Sequence, residues 1–368
     1  MLIEKIELRH VKMELITPFE TSMGVELDEE HIIIAVYSEG IIGWGECVAE
    51  ETPYYSSETV KTAWHILKDF LIPVILNKNI NSIDEVIQLW NRIRGHRMAK
   101  AGLESALWDL FAKSKNISLS KLLGGTKNSI EVGVSIGIQE TPQILIDKVK
   151  QFLSDGYGRI KIKIAPGRDI SYVKALRDEL PNIRLQVDAN SAYTLGNVNI
   201  LTAFDSYNLE LIEQPLAYDD IYEHSILAKK LKTPLCLDES IHSLGDTKAA
   251  VELGSCKIIN IKPGRVGGYT ESKKIHDYCQ SNNIPVWHGG MLESGIGRAG
   301  NIALASLPNF ILPGDISASK KYYKHDIIDP SFDINKDSTM NVPKGPGIGV
   351  EVIQSQLDVI TIYKEIFN

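Results

Sequence analysis

The chain has 368 residues, 43% hydrophobic and 23% charged, which is ordinary globular composition with room for one barrel and a smaller appendage. With 39 basic and 47 acidic residues its net charge is −8, and it has no run of five like charges, so a nucleic-acid footprint is unsupported. No apolar run approaches the length of about 18 residues that would suggest a membrane span, and the start, Met-Leu-Ile-Glu-Lys-Ile-Glu, alternates where a secretory leader is continuously apolar.

Residues 1–125 read as an α+β unit. Alternating runs at 2–14, 31–38 and 41–48, with a turn at Glu39-Gly40, predict an antiparallel meander. Helical spacing follows at Ala63, Trp64, Leu67 and Phe70, Leu71, and again at Leu103, Ala106, Leu107 and Leu110. Between the first two strands, Thr17-Pro-Phe-Glu-Thr-Ser-Met-Gly24 reads as a polar, Gly-ended lid loop with Phe19 and Met23 as apolar substrate contacts. From about 126 to 339 strands and helices alternate. Thr141-Pro142 is a helix N-cap followed by a first helical position, and strand candidates begin near 131, 159, 183, 209, 234, 257, 284 and 309. Segregated strands and helices followed by alternating ones predict a closed α/β barrel under a capping domain. The stretch from about 340 to 368 is expected to return to the cap. Cys47, Cys236, Cys256 and Cys279 lie far apart in apolar segments without Cys-x-x-Cys spacing, as reduced core residues of a cytoplasmic chain would.

The chemistry is carried by a ladder of charges near the ends of the barrel strands. Lys163, Asp188, Glu213, Asp238 and Lys262 follow one another at intervals of 25, 25, 25 and 24 residues, close to the period of one strand plus one helix. Parallel barrels converge their C-terminal strand ends on one face, where their chemistry is found. Three carboxylates there are hard oxygen ligands suited to Mg²⁺ or Mn²⁺, and without His or Cys among them zinc is disfavoured. Barrel-top acids that only pair with lysines are the plainer reading, but clustered carboxylates without a cation are rare. Lys161 and Lys163 alternate with Ile160, Ile162 and Ile164, so the two amines share one face. A solvated edge strand would give the same alternation, but an inward-facing pair fits a barrel better. A metal and neighbouring cations such as Lys161 and Arg265 are expected to lower the pKa of Lys262 toward that of a base. The parts predict abstraction of a proton α to a carboxylate, with the metal stabilising the enediolate and Lys163 and Lys262 on opposite faces of the carbon. Two bases allow racemisation; one base and a β-leaving group allow elimination.

Two other motifs carry less. Gly295-Ile-Gly297-Arg-Ala-Gly300, with Asp315 20 residues beyond Gly295, matches a dinucleotide fingerprint. It lacks an adjoining strand, and too little chain follows for a doubly wound sheet. The same glycines serve better as a backbone cradle for a substrate anion. His288 ends the seventh strand and could be a base, although the lysine pair makes that role redundant. A non-catalytic scaffold would have no reason to keep costly inward charges.

Lys-x-Lys at 161–163, Asp-Ala-Asn at 188–190, Glu-Gln-Pro at 213–215, Leu-Asp-Glu-Ser at 237–240 and Asn-Ile-Lys-Pro at 260–263 resemble the enolase superfamily, muconate-lactonising subgroup. The segments 97–104, 255–268, 289–298 and 313–317 are similar to the branch of o-succinylbenzoate synthases and N-acylamino acid racemases. The resemblance implies a (β/α)7β barrel with an N-terminal α+β cap and a small-molecule carboxylate substrate, with Asp188, Glu213 and Asp238 on Mg²⁺. It also implies Lys163 and Lys262 as the catalytic pair, supported by Lys161, Asn190, Glu239 and Arg265. Ser135, Gly290, Met291 and Ser294 are expected to join Phe19 and Met23 at the substrate, and a homo-oligomer is expected.

Overall fold

The computed structural model describes all 368 residues. Strands β1 (Lys5–Thr21) and β2 (Gly24–Ser38) form a long antiparallel hairpin, and β3 (Ile41–Cys47) returns beside β2. Glu39 and Gly40 take φ values of 51° and 78°, the left-handed pair that a two-residue turn between twisted strands requires. The segment read as a lid loop is mostly strand: β1 runs to Thr21 and β2 resumes at Gly24, leaving Ser22-Met23 as the tip. A register shift between Glu14 and Phe19 bends the hairpin. Its end rests on the barrel, where the Ser22 hydroxyl donates to the Asn190 carbonyl at 2.9 Å and the Ile138 amide donates to the Glu20 carbonyl at 2.8 Å.

Helices α1 (Val60–Ile66), α2 (Ile83–Trp90), α3 (Arg97–Ser114) and α4 (Leu119–Leu123) follow. Ile32, Ile34 and Val36 pack with Leu103, Ala106, Leu107 and Leu110 of α3, while Ile33 and Ala35, on the other face of β2, join the core that continues through the barrel. Both faces of the sheet are therefore buried, which explains the unbroken apolar run of β2. Gly45 lets α3 lie directly on β3: a Cβ there would fall 2.5 Å from the Ala106 amide nitrogen.

The barrel strands are β5 (Val134–Ile136), β6 (Arg159–Lys163), β7 (Arg184–Asp188), β8 (Ile212–Glu213), β9 (Leu235–Leu237), β10 (Ile258–Ile261) and β11 (Val286–His288), paired parallel in that order. The first expected strand divides, because β4 (Ser129–Glu131) pairs instead with Thr339–Asn341. The eighth, near 309, is reduced to bridges from Phe310 to Val286 and from Gly314 to Val132. The Asp315 amide on the His288 carbonyl, 2.8 Å, and the Gly133 amide on the Gly314 carbonyl, 2.7 Å, join its two sides. Helices alternate with the strands as expected. In α5 (Pro142–Ser154) the Thr141 hydroxyl accepts from the Ile144 amide, with Pro142 in the first turn. Ile160, Ile162 and Ile164 pack outward among Leu145, Val149 and Val173 of the surrounding helices. Inside, Leu211, Cys236, Ile258 and Trp287 form a small apolar plug.

Of the C-terminal segment, Thr361–Phe367 adds to the cap sheet beside β1, giving an order that begins with this last strand and runs through β1 and β2 to β3. Residues Glu351–Val352 pair with Ile328–Asp329 rather than with the cap. All four cysteines are free and buried, and no helix is long and apolar enough to cross a membrane.

Candidate active site

The strand register explains how the ladder converges. Lys163, Asp188 and Glu213 are direct neighbours across β6, β7 and β8, while Glu213 faces Cys236, so Asp238 lies two residues further along its strand. A step of two keeps a side chain on the same face, so the stagger still delivers every charge to one mouth.

Each carboxylate is bound by amines. Lys161 Nζ lies 3.0 Å from Asp188 Oδ2, 2.6 Å from Glu213 Oε2 and 2.7 Å from Asp315 Oδ2. Lys163 Nζ donates to Asp188 Oδ2 at 2.7 Å and to Asn190 Oδ1 at 2.6 Å. Lys262 Nζ donates to Asp238 Oδ2 at 2.8 Å and to the Tyr55 hydroxyl at 3.0 Å. Arg265 pairs with Asp238 and donates to the carbonyls of Ile241 and Asn260. Asn190 Nδ2 reaches Glu239 Oε1 at 2.8 Å, and Asn260 Nδ2 reaches Glu213 Oε1 at 2.6 Å. Asn190, Ser191 and Gln214 hold positive φ values of 40°, 63° and 36°, backbone strain concentrated where the strands open into the site.

The electrostatics follow from burial and neighbours. Burial alone would raise Asp188, but Lys161 and Lys163 outweigh it and hold the carboxylate well below its usual range. Glu213 is pushed up to about 7, by burial first and then by the charge of Asp188. Lys262 departs from expectation. Burial lowers its pKa, but Tyr55, Glu239 and Glu213 more than offset this, so it is raised. The cations expected to lower it count for less than this negative surround. His288 is buried and lowered to about 3, chiefly by desolvation, with Nδ1 2.7 Å from the Gly289 carbonyl; these are the surroundings of a neutral structural imidazole.

As the side chains stand, no three His, Cys, Asp or Glu groups converge closely enough to hold a metal. The donor set nonetheless fits a hard divalent cation. Asp188 and Glu213 are neighbours in register whose mutual repulsion lifts Glu213, and Glu239 Oε2 is buried without a hydrogen-bond partner.

One cavity gathers Phe19, Met23, Lys163, Asn190, Lys262, Gly290 and Met291. Ser135 and Ser294 lie outside its lining. Ser135 stands in register beside Lys161, its hydroxyl buried and unpartnered. The Ser294 hydroxyl donates to Glu46 Oε2 at 2.6 Å and caps the helix Gly295–Ala305, so it ties barrel to cap. That helix also occupies the Gly295–Gly300 motif. Sequence reading did not single out Tyr55, Asn260 or Asp315 as parts of the constellation. Asn260 was within reach of the period-two argument, being two residues before Lys262; Tyr55 arrives from the cap, which no strand period announces.

Family models match both parts of the chain: the mandelate racemase / muconate lactonizing enzyme N-terminal domain over residues 4–124 and the enolase C-terminal domain-like model over 145–356. The chain is 48% identical over 367 residues to an o-succinylbenzoate synthase of Geobacillus kaustophilus, covering 100% of this chain and 98% of that protein. It is 46% identical over 360 residues to an N-succinylamino acid racemase of Amycolatopsis, covering 98% and 97%. A crystal structure of an enolase-superfamily member from Listeria innocua superposes with a TM-score of 0.96 at 44% identity, covering 100% and 99%. With matching family models on both sides of a barrel mouth that carries this charge ladder, the chain belongs to the mandelate racemase and muconate lactonizing family of the enolase superfamily.

Proposed function

We propose that this chain is an o-succinylbenzoate synthase, dehydrating 2-succinyl-6-hydroxy-2,4-cyclohexadiene-1-carboxylate to 2-succinylbenzoate in menaquinone biosynthesis. The observation that carries the reading is the pair of lysine amines, Lys163 and Lys262, lining one cavity beside Asp188, Glu213 and Asp238, in a chain 48% identical to synthases along its whole length. Asp188, Glu213 and Asp238 would hold Mg²⁺, with Mn²⁺ as a substitute. The cation would supply positive charge to the substrate carboxylate as the neighbouring C–H bond is broken. Lys163 takes the proton from the carbon bearing the carboxylate, and the bonding pair moves toward that carboxylate. The same lysine then protonates the departing hydroxyl on the same face, the C–O bond breaks, and the ring becomes aromatic with release of water. Lys262 stays protonated and balances the developing negative charge. Asn190 orients Lys163, Lys161 holds Asp188 and Glu213 together, and Arg265 fixes Asp238 beside Lys262. Phe19, Met23, Gly290 and Met291 surround the substrate, and the cap excludes water.

A second reading is favoured by the two lysines themselves: a proton acceptor on one face of a carbon and a proton donor on the other are what racemisation of an N-acylamino acid needs. The deciding experiment assays the purified protein on both substrates, with Mg²⁺ and after exhaustive chelation. Turnover should vanish on chelation and return with Mg²⁺ or Mn²⁺, and the dehydration should have the larger kcat/KM. Full activity in a verified metal-free preparation overturns the metal assignment; no dehydration overturns the synthase.

A further inference from the structure

The cap contributes to the lysine cavity a surface that neither proton-transfer scheme uses. Glu26 and Glu29 of β2 and Glu50, just after β3, line the same cavity as Lys163 and Lys262. None of the three carboxylates accepts a hydrogen bond from a protein donor. Glu29 is only 4% exposed, and its nearest basic atom is His31 Nε2 at 3.8 Å, which is itself without a hydrogen bond. The other imidazole nitrogen of His31 is taken by Glu46 at 2.7 Å. Burial, then the neighbouring charge of Glu50, pushes the Glu29 carboxyl well above the usual range; burial, then Glu26, pushes Glu50 to about 7. Such a wall is costly unless something positive meets it. Phe19, Met23, Met291 and Leu292 line the same cavity with apolar surface. Apolar sides and an acidic end match an aliphatic stem ending in a cation.

We propose that this wall makes the site selective for N-acylamino acids with a cationic side chain of the lysine or arginine kind. The α-carbon lies between Lys163 and Lys262, and the ammonium or guanidinium lies among Glu26, Glu29 and Glu50. The assignment deepens the racemase reading and rests on it.

The test is calorimetric titration of the Mg²⁺-loaded protein with N-succinyl-L-arginine and with N-succinyl-L-citrulline, which differ in charge and scarcely in size. The arginine derivative should bind at least about tenfold more tightly, as expected for a desolvated charge contact, with the gap narrowing as salt is raised. N-succinyl-L-glutamate should bind more weakly than the citrulline derivative. The double substitution Glu29→Gln/Glu50→Gln should close most of the arginine–citrulline gap. The comparison on the native protein needs no variant, so a double variant that fails to fold does not remove the test. Equal affinities, or no measurable binding of either ligand, overturn the proposal. Dehydration and racemisation are measured on the same preparation. Discrimination without racemisation removes the racemase reading and leaves the selective wall. Racemisation without discrimination does the reverse.

Discussion

Lys163 and Lys262 differ in their neighbours. Lys163 shares Asp188 with Lys161 and holds Asn190, whereas Lys262 stands between Asp238 and Tyr55. Distinct losses follow. In deuterated water with Mg²⁺, Lys163→Ala should abolish α-proton exchange from one enantiomer of an N-acylamino acid and Lys262→Ala from the other. Each loss should be on the order of 10²–10⁴-fold, the scale of a positioned general base. Lys262→Arg keeps the charge on a larger planar head and should retain part of the dehydration while losing racemisation. Dehydration at the normal rate by Lys163→Ala would remove it as the base. A second consequence at this scale concerns His288, whose Nε2 is buried without a partner and whose pKa is lowered to about 3. The native imidazole is therefore neutral, while the unfolded one binds a proton below about pH 6.5, so stability is full above that pH and declines as pH falls toward 3. By pH 4.5 this group alone should cost about 2–3 kcal/mol, from two pH units at ~1.4 kcal/mol each. Urea unfolding of His288→Asn should show a flatter pH dependence between 6.5 and 4.5; an unchanged slope would assign the acid sensitivity to other groups.

Among the elements, the contact between α3 and β3 has the least room to adjust, because backbone meets backbone. Gly45→Ala places a methyl 2.5 Å from the Ala106 amide nitrogen, and neither the sheet nor the helix can retreat without opening the core around Leu107. A loss of about 2–4 kcal/mol is expected, the range of an overpacked core site, read as a lower thermal midpoint. A midpoint within a degree of the parent would show that the helix can shift freely. Element type was legible wherever alternation was long. The β6 pattern of lysine and isoleucine proved to be inward and outward, and Thr141-Pro142 began its helix. It failed at two places for local reasons. Pro18 and the polar residues around it look like loop, yet the two arms of the hairpin pair across a bulge. Pro308 and Pro313 withhold amide donors from the eighth strand, which survives only as single bridges.

For the whole molecule, one period made the site readable: equal strand-plus-helix units put equal spacing between the residues that meet at the mouth. What came from outside that period was unreadable in advance. Tyr55, Glu26, Glu29 and Glu50 reach the cavity from the cap, and their place depends on how two separately built layers dock. The placement of Thr361–Phe367 against β1 has a consequence for how the molecule is made. Ile6 stands in register with Phe367, so strands far apart in the sequence meet at one border of the sheet. During synthesis the barrel segments emerge before Thr361–Phe367, so one border of the cap sheet stays unpaired until that strand has been translated. Through that interval β1 shows a free row of amides and carbonyls to any neighbouring nascent chain, the template on which strands associate wrongly. The arrival of Thr361–Phe367 therefore covers that row and brings the cap sheet to its four-strand width.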